Sequence, residues 1–312
     1  MKVLMQKRKE DWLVKEIRDL GYEISFYKPK EEDKVDYDAD IIVDGIWLRH
    51  FDFSKFKNLK YIFLLSTGID YLDLDYLIRN RGIKVTNNHG AYGEPIAEWV
   101  LYNILQLEKY DRLNLKNQEN KIWTYRSSSG NLYGKTALIL GTGAIGRETA
   151  KRLKAFDVKT IGLNRSGKKY EEFDEIWKNE EVLKSLKEVD YVISALPDTK
   201  ETEKFIDKEF LDNLKKEALI INISRGAVID EKELIKSLQE KRLRGAALDV
   251  FETEPLQKDS PLWDMENVYI FPHISFSCED DQERLFRTAL KNLKNLKENK
   301  ELESLVDIKK GY

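Results

Sequence analysis

The chain has a single cysteine, Cys278, among 312 residues. One thiol excludes a disulfide framework and any zinc cluster built on cysteines, so no metal is expected; it suits a reducing compartment, and a cytoplasmic protein is expected. No apolar run approaches the ~20 residues that span a bilayer. The N-terminal stretch, Lys2 and then Lys7 to Glu10, leads into no apolar core of the secretory kind. No membrane association is expected. An excess of charge of one sign is also missing: 53 basic and 56 acidic residues leave a net charge of −3, which argues against a nucleic-acid binder. The charged blocks Lys7 to Asp11 and Glu31 to Lys34 read as solvated surface. What remains is length for two ordinary domains and enough apolar residues, 41%, for a real core in each.

The most informative stretch is Leu138 to Gly146, LILGTGAIG. An apolar run from Ala137 to Leu140 meets a glycine-rich turn, and helix formers follow from Glu148 to Phe156. The turn is GxGxxG, with Gly141, Gly143 and Gly146. The first glycine permits the tight turn, the second the close approach of a pyrophosphate, and the third close packing of helix on strand. The N–H groups of Thr142 to Ile145, Ala144 included, then point at phosphate, aided by the helix dipole. Ala150, Leu153 and Phe156 predict one apolar helix face, and a second apolar run, Val158 to Leu163, follows. This is the context in which GxGxxG signals a dinucleotide.

Upstream, short apolar runs at Lys2 to Met5, Tyr22 to Tyr27, Ala39 to Val43, Tyr61 to Ser66 and Lys84 to Thr86 alternate with helical patterns. They predict a parallel, doubly wound sheet that lacks GxGxxG. Gly93-Glu94-Pro95 opens a long helix, and Asn114 to Asn131 reads as a polar loop or arm carrying Trp123 and Tyr125. From Ala137 to Pro272 six strands are expected, the Rossmann count. Glu279 to Lys300 reads as one amphipathic helix that returns to the first unit. The expected fold is therefore α/β, with two doubly wound parallel-sheet domains. A flavodoxin-like substrate domain takes residues 1–94 plus 280–312, and a Rossmann dinucleotide-binding domain takes residues 95–279.

Three polar residues follow three strands of the second unit: Arg225 after ALIINIS, Glu254 after GAALDV, and His273 after VYIFP. In open α/β sheets ligands bind beyond the carboxyl ends of the strands. Reduction of a 2-keto acid needs a cation for carboxylate and carbonyl oxygen, which Arg225 supplies as a bidentate fork. It needs a proton donor near neutral pH, for which His273 is suited. It also needs a partner that keeps the imidazole oriented and protonated, a role for Glu254. Arg49 is a further candidate for the substrate side.

The stretches GTGAIG, SALPDTKET, INISRGAVIDEKEL, GAALDVFETEPL and FPHIS, with STGID and NNHGAYGEPIAEWVL upstream, resemble the D-isomer-specific 2-hydroxyacid dehydrogenase family over nearly the whole chain. The resemblance implies a nicotinamide-dependent reductase of a small 2-keto acid such as glyoxylate or hydroxypyruvate, homodimeric, with Arg225, Glu254 and His273 as its triad. It also implies that Ser66, Thr67 and Gly68 offer main-chain N–H groups to the substrate carboxylate, and that the other two histidines, His50 and His89, are structural. By the same resemblance Asp249 holds the nicotinamide amide, Pro197 and Ile223 flank the cofactor, and glutamate at 254 argues against formate. One departure is informative. NAD-preferring members end the second Rossmann strand with an acidic residue; here Asn164 stands in that slot, followed by Arg165 and Ser166. Nothing there repels a 2′-phosphate, so NADP is the preferred cofactor and NAD a possible one. The competing expectation is a dinucleotide-sensing co-repressor or binding protein on the same fold.

Overall fold

A computed structural model describes residues 1–7, 11–29, 35–80, 82–125 and 128–310. The stretches Arg8 to Glu10 and Glu31 to Lys34, read above as charged surface, lie outside the described residues. The chain divides into two compact units, Met1–Ala91 with Glu279–Tyr312, and Tyr92–Cys278.

The first unit holds β1 (Lys2–Gln6), α1 (Asp11–Asp19), β2 (Glu23–Tyr27), β3 (Ile41–Asp44), β4 (Tyr61–Leu64), α2 (Leu74–Arg79) and β5 (Lys84–Thr86). Its sheet is parallel, in the order β2-β1-β3-β4-β5, the flavodoxin-like arrangement. Successive side chains of a strand point to opposite faces, so an uninterrupted apolar run buries both. Leu4, Ile42, Ile62 and Val85 face one layer, packed with Phe51, Phe53 and Phe56. Val3, Met5, Ile41, Val43 and Phe63 face the other, where Leu13 and Ile17 of α1 meet Phe286, Ala289 and Leu293 from the far end of the chain.

The second unit opens with α3 (Gly93–Lys109) and α4 (Asp111–Glu119). Then come β6 (Thr136–Leu140), α5 (Ala144–Lys154), β7 (Lys159–Leu163), β8 (Glu175–Trp177), α6 (Val182–Ser185), β9 (Tyr191–Ser194), α7 (Lys208–Asn213), β10 (Leu219–Asn222), α8 (Glu231–Gln239), β11 (Gly245–Leu248) and β12 (Val268–Ile270). The parallel order is β12-β11-β10-β9-β6-β7-β8, a Rossmann sheet carrying one more strand. One face packs Leu138, Ile161, Val192, Ile220 and Leu248 against Phe210, Leu211 and Leu234 of α7 and α8. On the other, α3 and α5 lie together. The final helix, α9 (Asp281–Lys297), belongs to the first unit.

The sequence expectations are corrected at four places. Among the described residues the second sheet has seven strands, not six: the three-residue β8, in a highly charged stretch, pairs with β7 at the sheet edge. Part of the expected polar arm is helical: α4 buries no side chain and has no apolar stripe to announce it. Its contacts hold it instead, with the Arg112 N–H donating to Tyr269 Oη (3.0 Å) and the Arg112 guanidinium to the Met265 carbonyl (2.9 Å). Phe156 lies past the end of α5 and is exposed, so the buried face of that helix is Gly146, Thr149, Ala150 and Leu153. The last helix is shorter at both ends than Glu279 to Lys300.

Candidate active site

The glycine turn lies between β6 and α5. Gly141 has φ +103, and a Cβ there would stand 2.7 Å from the Ala195 carbonyl oxygen. A Cβ on Gly146 would stand 2.0 Å from the Gly141 carbonyl oxygen, inside any tolerable contact. Only hydrogen fits at either place. Gly143 is the extended residue before α5. The Arg147 N–H returns to the Gly143 carbonyl (3.0 Å), so Ala144, Ile145 and Gly146 present the helix's remaining first-turn N–H groups. The cradle, its helix N-terminus and the adjoining strand ends fit a pyrophosphate.

At the end of β7 the Asn164 carboxamide is engaged by the protein itself. Its Nδ2 donates to Thr142 Oγ1 (3.1 Å) and to the Lys168 carbonyl (3.0 Å), and its Oδ1 accepts from Ser166 Oγ (3.2 Å). Ser166 Oγ also accepts the Lys168 N–H (3.2 Å). Asn164 thereby folds residues 164–168 into a closed turn that presents Arg165 outward, where its guanidinium pairs with Glu201. Pro197 is exposed, and its carbonyl accepts from Thr202 Oγ1 (2.6 Å); Ile223 is buried.

Arg225, Glu254 and His273 follow β10, β11 and β12, which are neighbours in the sheet. Glu254 and His273 meet: His273 Nδ1 and Glu254 Oε2 are 3.0 Å apart, both side chains about 40% exposed. The other carboxylate oxygen, Oε1, accepts the Phe251 N–H (3.2 Å), so main chain orients the glutamate that orients the imidazole. His273 itself has φ +57, a left-handed conformation that costs a residue with a Cβ about 1 kcal/mol or more. Its neighbours hold it there. The Ile274 and Ser275 N–H groups donate to the buried Asp249 carboxylate at 2.7 and 2.9 Å. Both Asp249 oxygens thus anchor the turn that carries the histidine.

Arg225 is half-buried and its guanidinium donates to the Ser224 carbonyl (2.8 Å). Asn222, 1% exposed, fixes the backbone around it: Nδ2 donates to the Arg225 carbonyl (3.1 Å), and Oδ1 accepts from Ser224 N–H and Oγ at 3.1 and 2.8 Å. Asn222 escapes a reading of the sequence; its one signal is a lone amide at the end of a buried apolar strand.

In the first unit, Ser66, Thr67 and Gly68 follow β4 and Arg49 lies in the turn after β3, so both leave the carboxyl edge of adjacent strands. The Ser66 turn is pinned by buried asparagines: Asn87 Nδ2 donates to the Thr67 carbonyl (2.8 Å) and the Asn88 N–H to the Ser66 carbonyl (2.9 Å). Ser66 Oγ donates to the Gly68 carbonyl (2.9 Å) and lies 2.6 Å from Tyr71 Oη. Arg49 is exposed and its Nε donates to His50 Nε2 (3.2 Å). His50, with Tyr27, Trp47 and Phe51, borders a cavity of about 390 Å³. His89 is exposed.

Residues 102–275 match the family model described as D-isomer specific 2-hydroxyacid dehydrogenase, NAD binding domain. The chain is 36% identical over 250 residues to a glyoxylate reductase of Thermofilum pendens, an alignment covering 76% of this chain and 71% of that protein. It is 30% identical over 315 residues to a D-3-phosphoglycerate dehydrogenase of Methanocaldococcus jannaschii, covering 99% of this chain and 60% of that one. Among solved structures, a D-isomer specific 2-hydroxyacid dehydrogenase family protein from Aeromonas salmonicida superposes with a TM-score of 0.86 at 29% identity, over 98% of this chain and 99% of that chain. With the glycine cradle, the sheet order and these matches in agreement, the chain belongs to the D-isomer specific 2-hydroxyacid dehydrogenase family and is an NAD(P)-dependent oxidoreductase.

Proposed function

We propose that the protein reduces a small 2-keto acid, of the size of glyoxylate or hydroxypyruvate, to the D-2-hydroxy acid, with NADPH preferred to NADH. The observation that carries this reading is the Glu254–His273 pair at 3.0 Å, placed after neighbouring strands of the glycine cradle's own sheet. With Nδ1 turned to the Glu254 carboxylate, His273 directs Nε2 away from it, as the nitrogen that passes the proton to the substrate oxygen. Arg225 binds the substrate carboxylate and draws on the carbonyl oxygen, where negative charge grows. For the first unit, Ser66, Thr67 and Gly68 are the proposed N–H donors to substrate, and Arg49 a proposed further positive charge. A nicotinamide held by the glycine cradle's unit would supply the hydride. Gly141, Gly143, Ala144, Ile145 and Gly146 would hold the pyrophosphate, Pro197 and Ile223 would flank the cofactor, and Asp249 would serve the nicotinamide amide.

The preference for NADPH is argued from the turn after β7. Asn164 puts no carboxylate against a 2′-phosphate, and Arg165 and Ser166 are presented beside it, with Lys168 adding field. A panel of 2-keto acids, including a phosphorylated one, assayed with both cofactors tests both halves. Turnover of a small keto acid with a higher kcat/KM for NADPH is the expected result. Absence of turnover across the panel would leave the co-repressor reading standing, and a strong NADH preference would reverse the cofactor assignment.

The same reading makes the enzyme a homodimer and keeps it in the cytoplasm, which suits a chain with a single cysteine, Cys278. Trp123 and Tyr125, almost fully solvent-exposed in the single chain, are the apolar surface a second subunit would cover. Sedimentation giving one chain's mass at micromolar concentration would remove the dimer.

A further inference from the structure

The loops after β10 and β11 are joined by a pair of glutamates, Glu231 and Glu252. The Glu231 N–H donates to Glu252 Oε1 (3.1 Å), and the Glu252 N–H donates to Glu231 Oε2 (3.1 Å). Each glutamate therefore caps the main chain of the other. Glu231 is the first residue of α8, whose capping residue Asp230 accepts the Glu233 N–H (3.3 Å). Glu252, from the neighbouring loop, answers an N–H that α8's own cap leaves open. Beside this pair, the Gly226 main chain packs directly on Phe251 and Glu252. A Cβ at 226 would stand 1.9 Å from the Phe251 carbonyl carbon and 2.3 Å from the Glu252 nitrogen. The loop from Phe251 to Glu254 is thus gripped by Gly226, by Glu231, and by its own Phe251 N–H to Glu254.

Two carboxylates at one junction are a costly way to tie loops together. Burial pushes the Glu231 carboxyl above its ordinary range, and the charge of Glu252 adds to the effect against a hydrogen bond that opposes it. The arrangement is explained if the geometry it fixes is itself useful. We propose that Glu231 and Glu252 form a latch that positions Glu254, and through it the His273 imidazole, for the proton delivery described above. The inference rests on that acid–base reading. Glu252 is two residues from Glu254, and Glu231 is six from Arg225, so one junction sets the spacing of both loops. A shift of about 1 Å in a catalytic group is enough to cost ~10²-fold in rate.

The test is steady-state kinetics on Glu252→Ala and Glu231→Ala beside Glu252→Gln and Glu231→Gln, with folding checked by circular dichroism and thermal denaturation. An amide retains the oxygen that accepts the partner's N–H, so it keeps the latch. The alanine variants are expected to lose ~10–100-fold in kcat with KM for the cofactor within about twofold of wild type. The glutamine variants are expected to recover most of that loss. Glu252 is solvent-exposed, so its alanine variant is the one to read should Glu231→Ala fold poorly. Folded alanine variants with the wild-type kcat overturn the latch, as does a lower melting temperature with the rate intact. His273→Gln and Glu254→Gln in the same series separate the two levels. If they turn over at the wild-type rate, the acid–base reading falls; if they are crippled while Glu252→Ala is not, only the latch falls.

Discussion

Two parallel, doubly wound sheets stand in one chain, and they differ in the residues just after their first strand. After β6 the chain carries three glycines in six residues and goes straight into α5; after β1 the stretch Lys7 to Glu10 is charged and has no glycine. The two sheets are otherwise built alike, with apolar strands buried on both faces under helices. Architecture is therefore silent about which unit takes the dinucleotide; a few residues at the carboxyl edge decide it. The edges differ in a second way. In the second unit the polar residues after β10, β11 and β12 include an acid and a histidine in contact, whereas the turn after β4 in the first unit is held by amide and hydroxyl groups.

The sharpest way to break this contrast is to remove the histidine. His273→Gln is expected to lower kcat by ~10²–10⁴-fold, the usual worth of a general acid. His50→Gln, in the first unit, should leave kcat near wild type, and the reverse ranking would move the chemistry to the other sheet. Second comes the buried acid of each unit. Glu108 is fully buried, pairs with Arg244, and accepts from Tyr191 Oη (2.7 Å). Asp44 is equally buried but is met by Tyr27 Oη (2.5 Å) and the main-chain N–H groups of Gln6 and Gly45. Glu108→Ala leaves the half-buried Arg244 guanidinium without this partner and should cost about 3 kcal/mol in chemical denaturation. A loss below about 1 kcal/mol would show that the pair is worth no more than a surface ion pair.

Third, Gly146→Ala should abolish dinucleotide binding by calorimetry and cost about 3 kcal/mol, since the new methyl group meets main chain that cannot yield. Fourth is acid stability. Burial alone would raise the Asp190 carboxyl, but hydrogen bonds from Lys215 and the Thr136 N–H, with the charge of Lys135, hold it below its ordinary range. The stability it contributes is therefore present above the unfolded value of ~3.9 and is lost as pH falls through the lowered folded value. Asp190→Asn should cost about 1 kcal/mol at pH 7, a figure kept small by the exposed lysines, and should flatten the stability curve below about pH 4. An unchanged acid limb would count against the network. The smallest effect belongs to Gly82 of the first unit, where a Cβ meets nothing within 4 Å; Gly82→Ala should change stability by no more than about 0.5 kcal/mol.

The parts of this molecule that read directly from residues are those whose cause is local. Lys2 to Met5 reads as a short strand, and in the structure Val3, Leu4 and Met5 bury both its faces; GTGAIG after an apolar run reads as a tight turn into a helix, and so it folds. The parts that do not read have distant causes. α4 has no apolar stripe because its contacts are Arg112 with Tyr269 and Met265, more than 150 residues away. The edge strand β8 exists because β7 offers it an open side. The family resemblance assigns Asp249 to the nicotinamide amide; in the structure both of its oxygens take the N–H groups of Ile274 and Ser275. Asn164 stands out in the sequence for the carboxylate it lacks, whereas in the fold it closes its own turn.

By itself the sequence determined that two α/β units form, that the second carries the dinucleotide turn, and that an arginine, a glutamate and a histidine leave the ends of successive strands. Periodicity and the backbone freedom of glycine act within a few residues, so the local string suffices for them. Only the tertiary structure decided that Glu254 and His273 meet at 3.0 Å, that Asp249 supports the turn of that histidine, and that Glu231 and Glu252 cap one another across two loops. Those are hydrogen bonds between groups 19 to 26 residues apart, and they exist because parallel pairing sets β10, β11 and β12 side by side.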